Sequence, residues 1–381
     1  VGINTDLLHG YPVIDSHTGA SSIPKYQAST FNSPALGTSR DYMYTRFGNP
    51  TIDALQEGLA KMTGAQFSFV FSSGMAAIAN TIMLLNAGDQ IIFPVEVYGG
   101  TGAFATKILP KYGIDVVFTA YDQLANIEQA LTPKTKMIYV ETPSNPLLKV
   151  TDIQPIVTLA KAHGILTVAD NTFMTPLYQK PLALGCDVVI ESLTKFINGH
   201  SDVVAGAVLT NDQAIAEELS LFQKEFGSIL GVEDAWLVLR GMKTMGLRMQ
   251  QSTQNAQSIA TFLQKHPKIK QVYFPGLPEH PGHAVHMRQT ENGGAVLSFE
   301  IAGADKARLN TFIEALQLPI FAVSLGGVES ILSHPATMSH ACLTAEERAA
   351  QGVTDSLLRL SCGIEDTEDL IADLTQALAK I

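Results

Sequence analysis

Between Pro50 and Thr210 the chain repeats one texture: a short apolar run, a few turn residues, then a stretch with helical spacing. The runs are Phe67–Phe71, Gln90–Pro94, Asp115–Thr119, Met137–Glu141, Leu166–Ala169 and Val188–Ile190. Most are apolar on both faces, which suits strands covered by helices on each side. Helical patterns begin near Ala76, Gly102, Leu124, Ile153 and Pro181. This alternation predicts an α/β domain on a mostly parallel sheet. Thr51 to Thr63 reads as a helix with Ile52, Leu55, Leu59 and Met62 on one face and Asn49 as cap. Ahead of it, a segment rich in Ser, Thr, Pro and Tyr predicts an extended arm over 1–47. Helical spacing then runs from Asp212 through Lys265. After His266 strands (Gln271–Phe274, Ala295–Ile301) mix with helices, the last over Glu368–Lys380. The expected organisation is an arm, 1–47; an α/β domain, 48–235; and a smaller α+β domain, 236–381.

Composition narrows the function classes. Twenty-five basic against 36 acidic residues give a net charge of −11, which argues against general binding to nucleic acid or to anionic membrane. Charged residues are 16% of the chain, few enough to suggest surface buried between subunits. The apolar stretch from Met75 to Leu85 is about half the length that a membrane span needs, and Asn80 interrupts it, so it reads as a buried helix. Cys186, Cys342 and Cys362 are too scattered for a disulfide framework or a zinc cage. Val1 to Ile14 lacks the apolar core of a secretory signal, so a reduced, cytoplasmic setting is expected. His280, His283 and His286 flank Pro281 and Gly282, which predict a loop of surface histidines and no metal site.

In open α/β sheets, ligands bind beyond the C-terminal ends of the strands. Three predicted strand ends here carry polar groups. Phe71-Ser72-Ser73-Gly74-Met75 runs from a strand into a small-residue turn and a helix, which reads as an anion seat or as a plain tight turn. It is not a Walker A loop, since no Gly-Lys-Ser/Thr follows. Asp170 follows the Val168-Ala169 strand, as a ligand-facing carboxylate or as a cap. Lys195 follows Val188-Val189-Ile190-Glu191 between hydroxyl residues, as a desolvated reactive amine or as a lysine snorkelling at the sheet edge. Taken together, a phosphate seat, a partner for a ring nitrogen and an imine-forming lysine are what pyridoxal phosphate requires.

The segment Ser192-Leu193-Thr194-Lys195-Phe196-Ile197-Asn198-Gly199-His200-Ser201-Asp202 closely resembles the pyridoxal-lysine segment of the Cys/Met-metabolism enzymes, which include cystathionine γ-lyase, cystathionine γ-synthase and methionine γ-lyase. The resemblance continues through Tyr44-Thr45-Arg46-Phe47-Gly48-Asn49-Pro50-Thr51, Val97-Tyr98-Gly99-Gly100-Thr101, Glu141-Thr142-Pro143-Ser144-Asn145-Pro146, Ser324-Leu325-Gly326-Gly327-Val328-Glu329-Ser330 and Leu358-Arg359-Leu360-Ser361-Cys362-Gly363. It implies the PLP-dependent transferase fold of type I, like that of aspartate aminotransferase, and pyridoxal 5′-phosphate as cofactor. By resemblance, Lys195 carries the cofactor and moves protons at Cα and Cβ, Tyr98 stacks on the ring and acts on the leaving sulfur, and Asp170 pairs with the ring nitrogen. Ser73, Gly74, Met75, Thr172, Ser192 and Thr194 complete the cofactor site. Tyr44 and Arg46 reach the phosphate from a neighbouring subunit, which implies at least a dimer, with a tetramer as the family expectation. Arg359, Asn145, Ser324, Leu325 and Glu329 are implied on the substrate side, with the alternatives of a structural ion pair for Arg359 and a turn residue for Ser324.

Departures bear on substrate. Gly100 stands where methionine γ-lyases carry a cysteine. Met43 and Ala103 stand where several cystathionine γ-lyases carry an acid and an arginine. Gly326-Gly327 and Glu329 look more like the cystathionine enzymes. Pro335 to His340 and Thr344 to Arg348 look more like the methionine γ-lyases. The expectation is a carbon–sulfur lyase of the cystathionine γ-lyase type with a broad pocket. Methionine γ-lyase, γ-replacement as in cystathionine γ-synthase, and β-elimination are the alternatives.

Overall fold

Apolar runs with no polar face form strands when neighbours cover both sides, and that is how the first half of the chain is used. The computed structural model describes residues 1–38, 40–341 and 344–381. Its larger sheet contains β1 (Phe67–Phe71), β2 (Gln90–Pro94), β3 (Asp115–Thr119), β4 (Thr135–Glu141), β5 (Leu166–Asp170), β6 (Val188–Glu191) and β7 (Gly206–Thr210). The spatial order is β1-β7-β6-β5-β4-β2-β3. Strands β2 to β6 pair in parallel, and β7 runs antiparallel between β1 and β6. Strand β7 was not among the sequence expectations. Its run Gly206-Ala207-Val208-Leu209-Thr210 is fully buried and follows the strand–lysine motif without an intervening helix.

Each face of this sheet has its own apolar layer. Phe71, Ile91, Phe93, Tyr139, Val168, Ile190 and Val208 pack on one side with Ala77 and Ile82, and with Leu219 of helix Gln213–Phe226. Ile92, Ile138, Val140 and Ala169 pack on the other with Ile153, Ile156 and Ala160 of helix Ile153–Ala162. The edge strand β3 is the more exposed one.

Four helices matter for the site's surroundings: α1 (Ile3–His9), α2 (Pro50–Thr63), α3 (Gly74–Ile82) and α4 (Gly99–Lys107). Asn49 caps α2 by accepting the Thr51 N–H at 3.0 Å, and Gly64 ends it in the left-handed region at φ 72°. The arm contains the short α1 but is otherwise irregular through residue 49. The helix expected from Pro181 is absent. Turns occupy that segment because Gly185 (φ 98°) and the start of β6 leave no room for one, and a single helical turn forms earlier, at Thr175–Tyr178. The long helical stretch is three helices, Gln213–Phe226, Val232–Met242 and Met245–Gln264; the first break is at Gly227, left-handed at φ 70°.

The smaller sheet contains β8 (Ile269–Tyr273), β9 (Val296–Ile301), β10 (Ile320–Phe321), β11 (Ile331–Ser333) and β12 (Leu357–Ser361), in the order β10-β11-β12-β9-β8. Leu297, Phe299, Leu332, Leu358 and Leu360 bury against Ile259 and Leu263 of Met245–Gln264 and against Leu370 and Leu374 of helix Thr367–Ala379. The histidine expectation is corrected. Pro281 and Gly282 precede a helix, His283–Gln289, rather than break one, and His286 is fully buried with Nε2 2.8 Å from Asn292 O. Among the described residues no group of His, Cys, Asp and Glu is placed to hold a metal ion, and no helix is long and apolar enough to cross a membrane. Cys186 and Cys362 are buried free thiols, and Cys342 lies outside the described residues.

Candidate active site

The C-terminal ends of β1, β4, β5 and β6 open onto a cavity of about 540 Å³. Its wall includes Ser73, Gly74, Met75, Tyr98, Asn145, Asp170, Thr172, Ser192, Thr194, Lys195, Ser324, Leu325 and Arg359. Thirteen residues singled out from the sequence thus converge. Tyr44, Arg46 and Glu329 are not in that wall.

The turn after β1 is locked from two sides. Ser73 Oγ accepts the Ala76 N–H at 2.9 Å and caps α3. The hydroxyl is therefore used as a cap, while the N–H groups of Gly74 and Met75, first in the helix, have no helical carbonyl to bond. A Cβ on Gly74 would lie 3.1 Å from Ser192 Oγ, so the bare glycine keeps the two segments in close approach.

Asp170 ends β5. Its Oδ1 accepts from Thr172 Oγ1 at 2.6 Å and from Thr172 N at 3.1 Å, and its Oδ2 accepts from Tyr139 Oη at 3.2 Å. Thr172 Oγ1 in turn accepts the Ser192 N–H at 2.9 Å, which ties the carboxylate to the lysine segment. Burial pushes the Asp170 carboxyl up, and the Thr172 and Tyr139 donors pull it back.

Lys195 follows β6. Its Nζ donates to Ser324 Oγ at 2.7 Å. Burial, then the nearby Arg359 charge, lowers its pKa to about 8. The backbone that carries it is gripped from below by Arg248, which donates to Phe196 O at 2.7 Å and Ile197 O at 3.1 Å. Gly326 (φ 83°) presses on the same segment; a Cβ there would meet Phe196 N at 2.6 Å. Ser324 itself holds φ 86°, an uncommon conformation for a non-glycine residue. Thr194 Oγ1 is tied to Ala205 through both its N–H and its carbonyl.

Arg359 on β12 is 3% exposed. It donates to Asn145 Oδ1 (2.7 Å), Ser324 O (2.7 Å) and Ser333 Oγ (3.1 Å), all neutral oxygens. Among the described residues no carboxylate pairs with it, and its Nε has no partner. Burial lowers its pKa to about 10, still far above neutrality. A buried cation without a counter-charge costs several kcal/mol, so the arrangement suits an anionic ligand.

Tyr98 stands at the mouth, 42% exposed, with its hydroxyl pushed up chiefly by burial. Its ring leaves no room at Gly100, where a Cβ would lie 2.6 Å from Tyr98 Cε1. Glu329 is corrected: its side chain is exposed and lies beside Gly327, outside the cavity. Sequence similarity of the loop did not reveal which way that side chain turns. Tyr44 and Arg46 lie on the arm, and Arg46 Nη1 donates to Lys224 O at 2.7 Å. Sequence reasoning missed Arg248, Tyr139, Ser333 and Glu141. Arg248 and Tyr139 sit inside predicted elements where polar residues carry no positional signal, and Ser333 ends a short strand, Ile331–Ser333, that no sequence pattern marks.

A family of known sequences accounts for this constellation: the one described as Cys/Met metabolism PLP-dependent enzyme matches residues 4–379. The chain belongs to that family. It is 48% identical to cystathionine β-lyase MetC of Bacillus subtilis, covering 100% of this chain and 97% of that one. It is 45% identical to cystathionine γ-lyase of the same organism, covering 99% of each. Its fold matches the crystal structure of cystathionine γ-lyase from Lactobacillus plantarum complexed with L-serine at a TM-score of 0.97, with 42% identity, over 100% of this chain and 99% of that one. The fold is thus the PLP-dependent transferase fold, the cofactor is pyridoxal 5′-phosphate, and the protein is a PLP-dependent lyase of cysteine and methionine metabolism. The residues present fit that group: unbonded N–H groups at a helix start, a glycine cradle, a strand-end carboxylate and a desolvated amine face one cavity.

Proposed function

We propose that this lyase cleaves the Cγ–S bond of L-cystathionine, yielding cysteine, 2-oxobutyrate and ammonia, in a pocket that also admits related sulfur amino acids. The observation that carries this reading is Arg359, a buried guanidinium that lacks an anion and shares Ser324 with Lys195. An α-carboxylate on that guanidinium places Cα of an amino acid near Lys195 Nζ.

Gly74 N, Met75 N and Ser192 Oγ would hold the cofactor's phosphate, Asp170 its ring nitrogen and Lys195 its reactive carbon. When bound, the cofactor supplies an electron sink for the charge left on Cα. Lys195, whose pKa burial lowers to about 8, would take the Cα proton, deliver it to the cofactor's reactive carbon and, uncharged again, take a Cβ proton. Ser324 Oγ, 2.7 Å from Nζ, keeps that amine aimed along the cavity. Tyr98 returns a proton to the departing sulfur. Phe173, Leu325 and Met338 give the wall apolar cover that limits water. Tyr44 and Arg46 of a second copy are proposed to complete the phosphate seat, in a dimer or tetramer. The partition into arm, 48–235 and 236–381 belongs to the same proposal.

A second reading, cleavage of the Cβ–S bond, is favoured by one observation. The residues at the cavity mouth, Tyr98, Val204 and Val323, carry no charge that would fix the far amino-acid end of cystathionine. The similarity to the two Bacillus subtilis lyases is nearly equal and favours neither. A product assay with L-cystathionine, beside L-methionine, tests these readings. 2-Oxobutyrate with cysteine supports γ-cleavage, and pyruvate with homocysteine supports β-cleavage. Methanethiol released faster from methionine would replace both with methionine γ-lyase. Rapid cystathionine synthesis from an activated homoserine ester and cysteine would indicate γ-replacement.

A further inference from the structure

Glu141 ends β4 where the strand order of the larger sheet turns back, between β4 and β2. Its Oε2 accepts the Tyr98 backbone N–H at 2.9 Å. Its ladder partner is Asp170. It borders the 540 Å³ cavity, and also a second cavity of about 890 Å³ whose wall draws on both sheets and includes Glu96, Asp122, Lys149 and His280. Glu96 and Lys149 are an ion pair, so neither offers Glu141 an uncommitted charge.

Two carboxyls side by side in a buried site do not both ionise. Asp170 faces Glu141 from β5, Tyr139 from its own strand, and Tyr98 from the loop after β2. Lys195 and Arg359 stand across the cavity. The donors divide unequally. Asp170 receives two hydroxyls and an N–H, whereas Glu141 receives only backbone N–H groups, from Tyr98 and Asn145. The negative charge therefore settles on Asp170.

We propose that Glu141 is a positioning residue of the reaction: as an uncharged acid it anchors the Tyr98 backbone over the cavity and leaves the pairing charge to Asp170. The role of Tyr98 in this rests on the lyase reading; the protonation of Glu141 does not. Burial, then the Asp170 charge, pushes the Glu141 carboxyl up to about 8, which agrees with that assignment. The wider cavity gives its proton a route to solvent that avoids the substrate seat. The folded protein keeps a proton that the unfolded chain releases near 4.5. Stability through this residue is therefore full below that pH and is lost as pH rises to about 8.

The test compares wild-type, Glu141→Gln and Glu141→Leu holoenzymes. Glutamine keeps the acceptor oxygen and stays neutral; leucine removes the acceptor. E141Q is expected to keep turnover within about three-fold at neutral pH and to lose the wild type's decline above about pH 8, while E141L drops about ten-fold or more. Infrared titration should show a carboxylic-acid band that disappears towards alkaline pH in the wild type and is missing from E141Q. The Tm of E141Q should gain on the wild type as pH rises. E141Q as slow as E141L, or an acid band left unchanged by E141Q, would overturn the proposal. Should E141L not fold, E141Q and the infrared band decide alone. A wild type that turns over neither cystathionine nor methionine would sink the lyase reading, yet the band and the Tm trend would still judge Glu141.

Discussion

The strand-end cradle and the N-terminal arm carry the same kinds of residue and use them in opposite ways. In the cradle the key side chains are tied to fixed neighbours: Thr172 joins Asp170 to Ser192, Ser324 joins Lys195 to Arg359, and Arg248 holds the lysine backbone. On the arm Met43, Tyr44 and Phe47 are 57%, 40% and 48% exposed, and Arg46 leans on Phe47 with its charge spent on one carbonyl. The cradle has two cations in its wall, Lys195 and Arg359, and our reading commits both elsewhere. Its phosphate seat thus has neutral donors alone, while the arm displays a cation without a buried task. Under the proposed reading, the chemistry is built within one chain and Arg46 of a second copy would finish the charge balance.

The sharpest break in that contrast is Lys195→Ala. It should cost about 10²–10⁴-fold or more in turnover and abolish the cofactor's imine absorption, read by single-turnover kinetics and a visible spectrum. A variant that kept normal turnover would remove the lysine from the mechanism. Next comes Arg359→Met. We expect kcat/KM for cystathionine to fall about 100-fold or more while Tm holds or rises, because the change also removes an unpaired buried charge. A Tm that fell sharply with KM unmoved would make Arg359 a structural residue. The smallest effect is expected on the arm: Arg46→Gln should weaken pyridoxal phosphate binding about ten-fold with little change in Tm. Unchanged cofactor affinity would detach the arm from the site and leave the phosphate without its proposed cation.

The cradle was legible in the sequence because a buried strand followed by Asp or Lys is unusual in a way that composition cannot hide. The parallel strands were legible for the same reason, as runs with no polar face. Direction was not: Gly206–Thr210 reads like its neighbours, and only the absent crossover helix after Lys195 marks it as antiparallel. Side-chain facing was not legible either. Glu329 stands in a loop where the left-handed Gly326 resets which way the chain turns, so its motif placed it near the site without aiming it inward. Glu141 lies within a motif of the family, yet its role is not legible there, since an acid before a Thr-Pro turn looks like ordinary punctuation. Pro281-Gly282 misled because the same pair that stops one helix starts another.

Arg359 spans two layers of the molecule, fixed on the smaller sheet and bonded to Asn145 from a loop of the larger one. A ligand that seals this cavity without bringing a negative group strands a cation away from water. If Arg359 takes the substrate carboxylate as we propose, esters, amides and decarboxylated analogues of a good substrate would be turned away by electrostatic solvation, however well their thioethers fit. On that proposal the pocket would sort candidates first by ionic form and only afterwards by shape, which would let a forgiving apolar mouth coexist with strict admission.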